Sequence, residues 1–454
     1  MKKYIFITRD FYVLPIAERL TEEGNEVVVG MVEKEYDSGV NKEKTDARLS
    51  LYDGMLDKKT DAEVLSWMKR LPNKDEWFFM CDFGDLWQFS EKALEMGFKN
   101  GIFPTKDGYK FEQDREFGKE FAKKNFPELK VAEVHEFNKI DEAITFMGEQ
   151  KDKVFVLKSD GSLAETVVPT TDDPELGGKQ IVGALKTEQK AYERGGFTLE
   201  EKIKNPIELT PVMVFWNGEP LFSLVELENK PVGAGNVGRL SGGAQNLSIQ
   251  TYLESQMNEI SFPPIIYEMA KKQPGISVFD AGLLYDGEDF YFTEFCAQRW
   301  GFDGLYSEIA MSKSVSDHFD LISQGKSPII HPFGAAVRMF QTEPSSKKLS
   351  NFADGYEIAW KDNIKEQLFL YCVKKENGKD GEDDRVVSVG YNKDLGVGTG
   401  AGDTPEEAVK QAYKTLSGVA MTGMLYRPKF DFMSKDYFTS IMNRYEFLKD
   451  AGLI

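Results

Sequence analysis

Residues 279–300, FDAGLLYDGEDFYFTEFCAQRW, contain two apolar runs on either side of Asp286–Gly287. Asp-Gly between alternating hydrophobic segments marks a tight turn, so the stretch predicts an antiparallel hairpin of residues 279–285 and 289–295. Glu294 stands near the end of the second strand, with Arg299 five residues on. A carboxylate in that place coordinates Mg²⁺, and an arginine beside it holds phosphate oxygens. An ion pair between the two is the plainer alternative.

Upstream lie two more strand-like runs, 197–203 (FTLEEKI) and 210–216 (TPVMVFW), the second turning at Asn217–Gly218 into EPLFSLVELE. Glu200 and Glu201, followed by Glu208, supply carboxylates that accept hydrogen bonds from an adenine amino group and a ribose; an acidic edge strand reads the same way. Earlier still, VFVLK (154–158) and ETVV (165–168) form two strands joined by SDGSLA. Lys158 beside a turn containing Gly161 offers a point charge together with free backbone N–H groups, which suits a nucleotide phosphate. Residues 112–125 (EQDREFGKEFAKKN) predict one charged amphipathic helix. The middle of the chain is thus antiparallel hairpins with helices packed on them, an α+β arrangement.

The beginning has a different rhythm. KYIFIT (3–8), a helix over 16–24, EVVVGMV (26–32) and WFFMCDF (77–83) predict a parallel sheet covered by helices. Ligands bind at the carboxyl ends of such strands, which makes loops 9–13 and 82–86, with Arg9, Asp82 and Gly84, candidate substrate contacts. After the polar stretch 375–384, residues 385–400 are strand-like and a helix begins at TPEEAVKQ. Thr404 or Asp403 caps it, Pro405 sits in its first turn, and Glu406 and Glu407 complement its dipole. The last twenty or so residues form a further amphipathic helix.

The totals bound the function. A chain of 454 residues is too long for one core and fits roughly two to four domains. No apolar run is long enough to span a membrane. Cys81, Cys296 and Cys372 form no CxxC pair, so a reducing cytoplasm is expected. The net charge of −19 disfavours nucleic acid as the main partner, while a local cluster of Lys and Arg can still hold a nucleotide. His135, His318 and His331 lack a nearby Ser or Cys partner, which argues against nucleophilic catalysis.

A basic helix, a strand lysine with a glycine turn, an acidic hinge strand and a strand carboxylate with an arginine occur here in one order. In that order the chain resembles the ATP-grasp enzymes, and over nearly its whole length the phosphoribosylamine–glycine ligase family. FEQDREFGKEF resembles the family's segment with two spaced basic residues, here Arg115 and Lys119. VFVLKSDG resembles its phosphate-binding strand, and FTLEEKIKNPIEL its hinge. That places adenine and ribose contacts near Glu200, Glu201, Lys202, Ile203 and Glu208. NVGRLSGGAQNL resembles the glycine-rich acceptor loop, with Gly238, Gly242 and Gly243 in register. VVSVGYNKDLGVGTGAGDTPEEAVKQAYKTLSG resembles the small C-terminal domain, where Gly398, Gly400 and Gly402 read as turns.

The resemblance implies a multidomain α/β and α+β chain: a Rossmann-like substrate domain at 1–105, an ATP-grasp domain at 106–330 with its lid at about 130–196, a C-terminal domain at 331–433 and a helical tail at 434–454. It implies ATP and Mg²⁺ (or Mn²⁺), small-molecule carboxylate and amine substrates, by default glycine and phosphoribosylamine of purine synthesis, and a monomer or homodimer. Lys158 and Arg299 would stabilise the transferring phosphoryl group. Some positions depart from the family. Its Gly-Gly-Arg-Glu-His stretch is TRDFYVLP here, leaving Arg9; its Gly-Lys-Gly lid is SLAETVV; its Arg-Phe-Gly-Asp-Pro-Glu is RWGFDGLY. The asparagine that is its second metal ligand is Cys296, a poor Mg²⁺ ligand, so Gln298 or Asp280 is expected to substitute. A ligase for a different carboxylate and amine, or a nucleotide-binding pseudoenzyme, are the alternatives.

Overall fold

The structure is a computed structural model that describes residues 1–33, 42–159, 166–341, 354–378, 383–435 and 440–454. Apolar runs buried on both faces make the first sheet: Lys3–Thr8 lies between Glu26–Met31 and Trp77–Cys81, all parallel. Gly101–Ile102 adds to the Trp77–Cys81 edge. Gly101 has φ +138°, and a Cβ there would lie 2.1 Å from the Phe79 carbonyl oxygen, so this close pairing demands glycine. Ile102 then pairs with Ile276 of the strand Ile276–Tyr285. The parallel sheet therefore continues, without a seam, into the antiparallel strands of the middle and end of the chain.

That continuous sheet runs through Ile207–Trp216, Glu219–Gly233, Val237–Thr251, Phe333–Gln341 and Asp394–Gly402. It crosses both of the borders drawn near residues 105 and 330. A separate three-stranded sheet, in the order Val134–Phe137, Phe197–Glu201, Phe155–Ser159, has its own core of Ile140, Phe155, Leu157, Ile181, Leu185, Phe197 and Leu199. A unit with a core of its own is able to move as one body on the larger sheet. Among the described residues, no helix is long and apolar enough to cross a membrane.

Several local expectations change. The single helix over 112–125 is two, Lys106–Gln113 and Arg115–Asn125, because the Asp114 carboxylate caps the second at Phe117 N (3.0 Å). The strand expected at 165–168 contributes one bridge, Leu157 to Val167, and Gly161 lies outside the described residues. Gly398, Gly400 and Gly402 are not turns. They lie inside the strand Asp394–Gly402, where a Cβ on Gly400 would meet Ala412 N at 2.4 Å and Ala408 O at 2.5 Å. Their small size lets the helix Pro405–Leu416 press onto the sheet, and Thr404 is the residue that caps it. In the tail, the helix is Ile441–Asp450, and the short helix Lys429–Met433 precedes it.

Candidate functional site

Along Phe155–Ser159 the side chains alternate, so Phe155, Leu157 and Ser159 turn into the small core while Lys158 takes the opposite face. Val156 pairs with Glu200, and Lys158 with Thr198, on the neighbouring antiparallel strand. Lys158 therefore reaches Glu200 diagonally, Nζ to Oε2 2.7 Å. Lys119, on the helix capped by Asp114, meets the other oxygen of Glu200 at 2.6 Å. Burial by itself would raise the Glu200 pKa; Lys158 and Lys119 more than offset it and hold the carboxyl below its usual range. Two ammonium groups around one buried carboxylate leave a net positive charge, which is what an anion requires. Arg115 opens the same helix, and its side chain lies outside the described residues.

The other hinge residues divide by role. Glu201 pairs with Lys153 (2.8 Å), and Lys202 pairs with Asp172 (2.8 Å) and donates to the Pro169 carbonyl (2.9 Å). Both side chains are thus used in holding the small unit together. Ile203 lies in the short connection between Phe197–Glu201 and Ile207–Trp216. Glu208 pairs with Lys230 at 2.6 Å, and Lys158 is near enough to favour its charged form. Lys230 in turn is stabilised by Glu294 as well as by Glu208 and Glu228. Lys158 and Glu294, over a hundred positions apart, thus each lie within electrostatic reach of the Glu208–Lys230 pair.

In the hairpin of Ile276–Tyr285 and Phe290–Ala297, Asp280 faces Cys296 and Gly282 faces Glu294, so Asp280, Cys296 and Glu294 share a sheet face. Burial, chiefly, pushes Asp280 up to about 6; Arg299 and the Cys296 thiol lower it and Glu294 raises it. Arg299 grips Glu112 with two 2.8 Å bonds and places Nη2 3.1 Å from the Cys296 sulfur. The thiol, raised well above its ordinary value by burial, stays neutral. Gln298 has φ +62°, and its amide oxygen accepts the Thr105 hydroxyl. Among the described residues no group of three His, Cys, Asp or Glu side chains is placed to hold a metal. Asp280 and Glu294, two carboxylates on one sheet face, are the residues that would hold a hard divalent cation there and would offer it oxygen ligands.

At the end of the parallel strands, Asp82 accepts from the Thr8 hydroxyl and from the amides of Arg9 (3.3 Å) and Asp10 (3.4 Å). Burial raises Asp82 to about 7 and Asp10 to about 6. Arg9 is paired with Asp85. A Cβ on Gly84 would touch Tyr109 at 3.2 Å and the Arg299 Cδ at 3.5 Å, so this loop packs directly on Tyr109 and Arg299. Gly242 and Gly243 lie within the long strand Val237–Thr251 and not in a loop; there residues 241–244 bulge opposite Lys230.

Sequence reasoning missed Lys230 and its neighbours Glu226 and Glu228. Their period-two spacing put three charges on one face of an apolar strand, a signal that was available. It also missed Glu308, which is fully buried with Trp300 Nε1 donating to it at 2.7 Å. Burial raises Glu308 to about 8, so the unfolded chain releases its proton first as pH rises from about 4.5. Stability is then lost between about pH 4.5 and 8. Glu308→Gln, which keeps the acceptor for Trp300, is expected to raise Tm at pH 8.5 and to leave it nearly unchanged at pH 5; melting curves at the two pH values check this.

No family model and no curated protein matches the sequence. Solved structures do match the fold. Phosphoribosylamine–glycine ligase from Thermotoga maritima is 16% identical, with a TM-score of 0.62 over 93% of this chain and 99% of that one. Biotin carboxylase from Campylobacter jejuni, solved with a β,γ-ATP compound, is 15% identical with a TM-score of 0.57, over 99% and 97% of the two chains. N5-carboxyaminoimidazole ribonucleotide synthetase from Thermotoga maritima is 16% identical with a TM-score of 0.52, over 93% and 99%. The chain has the ATP-grasp fold.

Proposed function

We propose that this ATP-grasp fold carries an ATP-dependent carboxylate–amine ligase. The observation that carries the reading is the convergence of Lys119 and Lys158 on buried Glu200; Asp280 and Glu294 share one face of the neighbouring hairpin. The lysines hold the phosphates of ATP, and the connection around Ile203 receives the adenine. Mg²⁺ (or Mn²⁺) held by Asp280 and Glu294 supplies charge neutralisation at the phosphate oxygens. A substrate carboxylate oxygen attacks the γ-phosphorus and ADP leaves, giving an acyl phosphate. An amine then attacks the acyl carbon, phosphate departs, and the nitrogen loses a proton to leave the amide. The protein contributes positioning and charge. Closure of the small three-stranded unit excludes water from the acyl phosphate.

The default substrates are glycine and phosphoribosylamine. A different amine is the second reading, and the Arg9 loop favours it. Arg9 is already committed to Asp85, and among the described residues Asp10 Oδ1 and Asp85 Oδ1 are buried with no hydrogen-bond partner. Oxygens in that state call for a donor-bearing ammonium and not for a phosphate. Phosphate release with ATP, Mg²⁺ and a panel of amino acids and amines decides the matter. Release with glycine and phosphoribosylamine supports the default, and release with a non-phosphorylated amine supports the second reading. Tight ATP binding without turnover on any pair identifies a nucleotide-binding pseudoenzyme and overturns the ligase.

A further inference from the structure

We propose that the C-terminal segment positions the acceptor side of the cleft: Arg444 and Arg427 bracket the bulge that presents Gly242, Gly243 and Lys230. The inference rests on the ligase reading for what the bulge does, and on geometry alone for how it is held. The hairpin of Glu219–Gly233 and Val237–Thr251 is in register from Ser223–Thr251 to Asn229–Gln245, and the next pair is Pro231–Leu240. Four residues, 241–244, thus oppose the single residue Lys230. A bulge of this size interrupts the ladder and needs outside partners to keep one shape.

The outside partners come from the end of the chain. Arg444, on the helix Ile441–Asp450 and only 7% exposed, donates to the Glu228 carbonyl (2.9 Å) and to Asn229 Oδ1 (2.7 Å), just before the bulge. Arg427, fully buried, donates to the Pro231 carbonyl (2.9 Å) and to Asn236 Oδ1 (2.8 Å), just after it. The opposite strand is tied to the same segment: the Gln245 amide donates to the Tyr413 hydroxyl (2.6 Å) and the Pro428 carbonyl (3.1 Å). Within the bulge the Ser241 hydroxyl donates to the Lys230 carbonyl at 2.8 Å. Arg444 is also a charge partner. Burial lowers it to about 10, while Glu208 and Glu228 support its cation and Arg427 opposes it. Glu208 and Glu228 are the same carboxylates that hold Lys230. Arg444 is therefore a positioning residue: it fixes the strand from which Lys230 projects and shares the carboxylates that orient it.

Arg444→Met tests this, with Arg444→Lys as the variant that keeps the charge and one donor but loses the two-point grip. Amide hydrogen exchange of the nucleotide-free protein is expected to quicken about tenfold or more in residues 226–247 and to stay unchanged around Lys119 and Lys158. The KM for the amine is expected to rise about tenfold in Arg444→Met and less in Arg444→Lys, with kcat and the dissociation constant of a non-hydrolysable ATP analogue within about twofold. Unchanged exchange in 226–247 in either variant overturns the proposal. So does a loss of ATP affinity matching the loss for amine, which would mark Arg444 as a general structural contact. If Arg444→Met does not fold, Arg444→Lys alone is read by the same criteria. If the unaltered protein turns over no carboxylate–amine pair, the ligase reading fails, and hydrogen exchange still decides whether Arg444 holds the bulge.

Discussion

Lys158→Ala is expected to abolish ATP binding, or to weaken it by at least about tenfold, roughly 1.4 kcal/mol. Lys158 is one of two ammonium groups at Glu200, and little water reaches the cluster: the side chains of Lys119, Glu200 and Lys158 are 6%, 7% and 17% exposed. Removing Lys158 changes the local sum from net positive to neutral, so an arriving triphosphate finds no excess charge. Glu200 keeps Lys119, which limits the damage to folding. Calorimetric titration with ATP checks this, and Lys153→Ala serves as the comparison. Lys153 lies on the same unit but pairs with Glu133 and Glu201, and its loss should leave ATP affinity unaltered. Equal affinity in Lys158→Ala and the parent protein would remove the lysine pair as the phosphate site.

Glu294→Gln is expected to lose divalent-ion-dependent turnover, by on the order of a hundredfold or more, without loss of the fold. Glu294 is exposed, so its charge supports no core packing. It shares a sheet face with Asp280, favours the cation of Lys230, and unlike buried Asp280 is open to solvent. The amide keeps the size and loses the charge that a hard cation requires. Phosphate release across a Mg²⁺ series, with Mn²⁺ binding followed by electron paramagnetic resonance, measures both consequences. Full Mn²⁺ affinity in the variant would move the cation elsewhere.

The difference between Glu294 and Gln298 shows how far linear reading reaches. Period-two alternation placed Glu294 on a strand face, and the hairpin formed around Asp286–Gly287 as the turn chemistry required. Gln298 lies just past the strand, where the backbone enters the left-handed region and the amide turns to Thr105, 193 positions away. No local pattern announces such a partner. Gly398, Gly400 and Gly402 failed for a related reason. Glycine density suggests turns, and the helix that presses on this strand is what requires them. Asp114 was different: a capping residue in the middle of a helical pattern is a local signal, and it split the helix that the charge pattern had joined.

The sequence alone determined the elements whose cause is local: buried parallel strands from unbroken apolar runs, hairpins from Asn-Gly and Asp-Gly, helix starts from Thr404 and Pro405. It also determined which strands bear Lys158, Glu200 and Glu294, since alternation is a property of each strand. Only the tertiary structure decided which charges meet. The pairing of Lys119 and Lys158 on Glu200, the sharing of Glu208 and Glu228 between Lys230 and Arg444, and the seating of the last helix on the hairpin of Glu219–Gly233 and Val237–Thr251 all join segments tens to hundreds of residues apart. Side-chain electrostatics act over a few ångströms of space and carry no trace of distance along the chain, so those partnerships exist only once the sheet has brought the segments together.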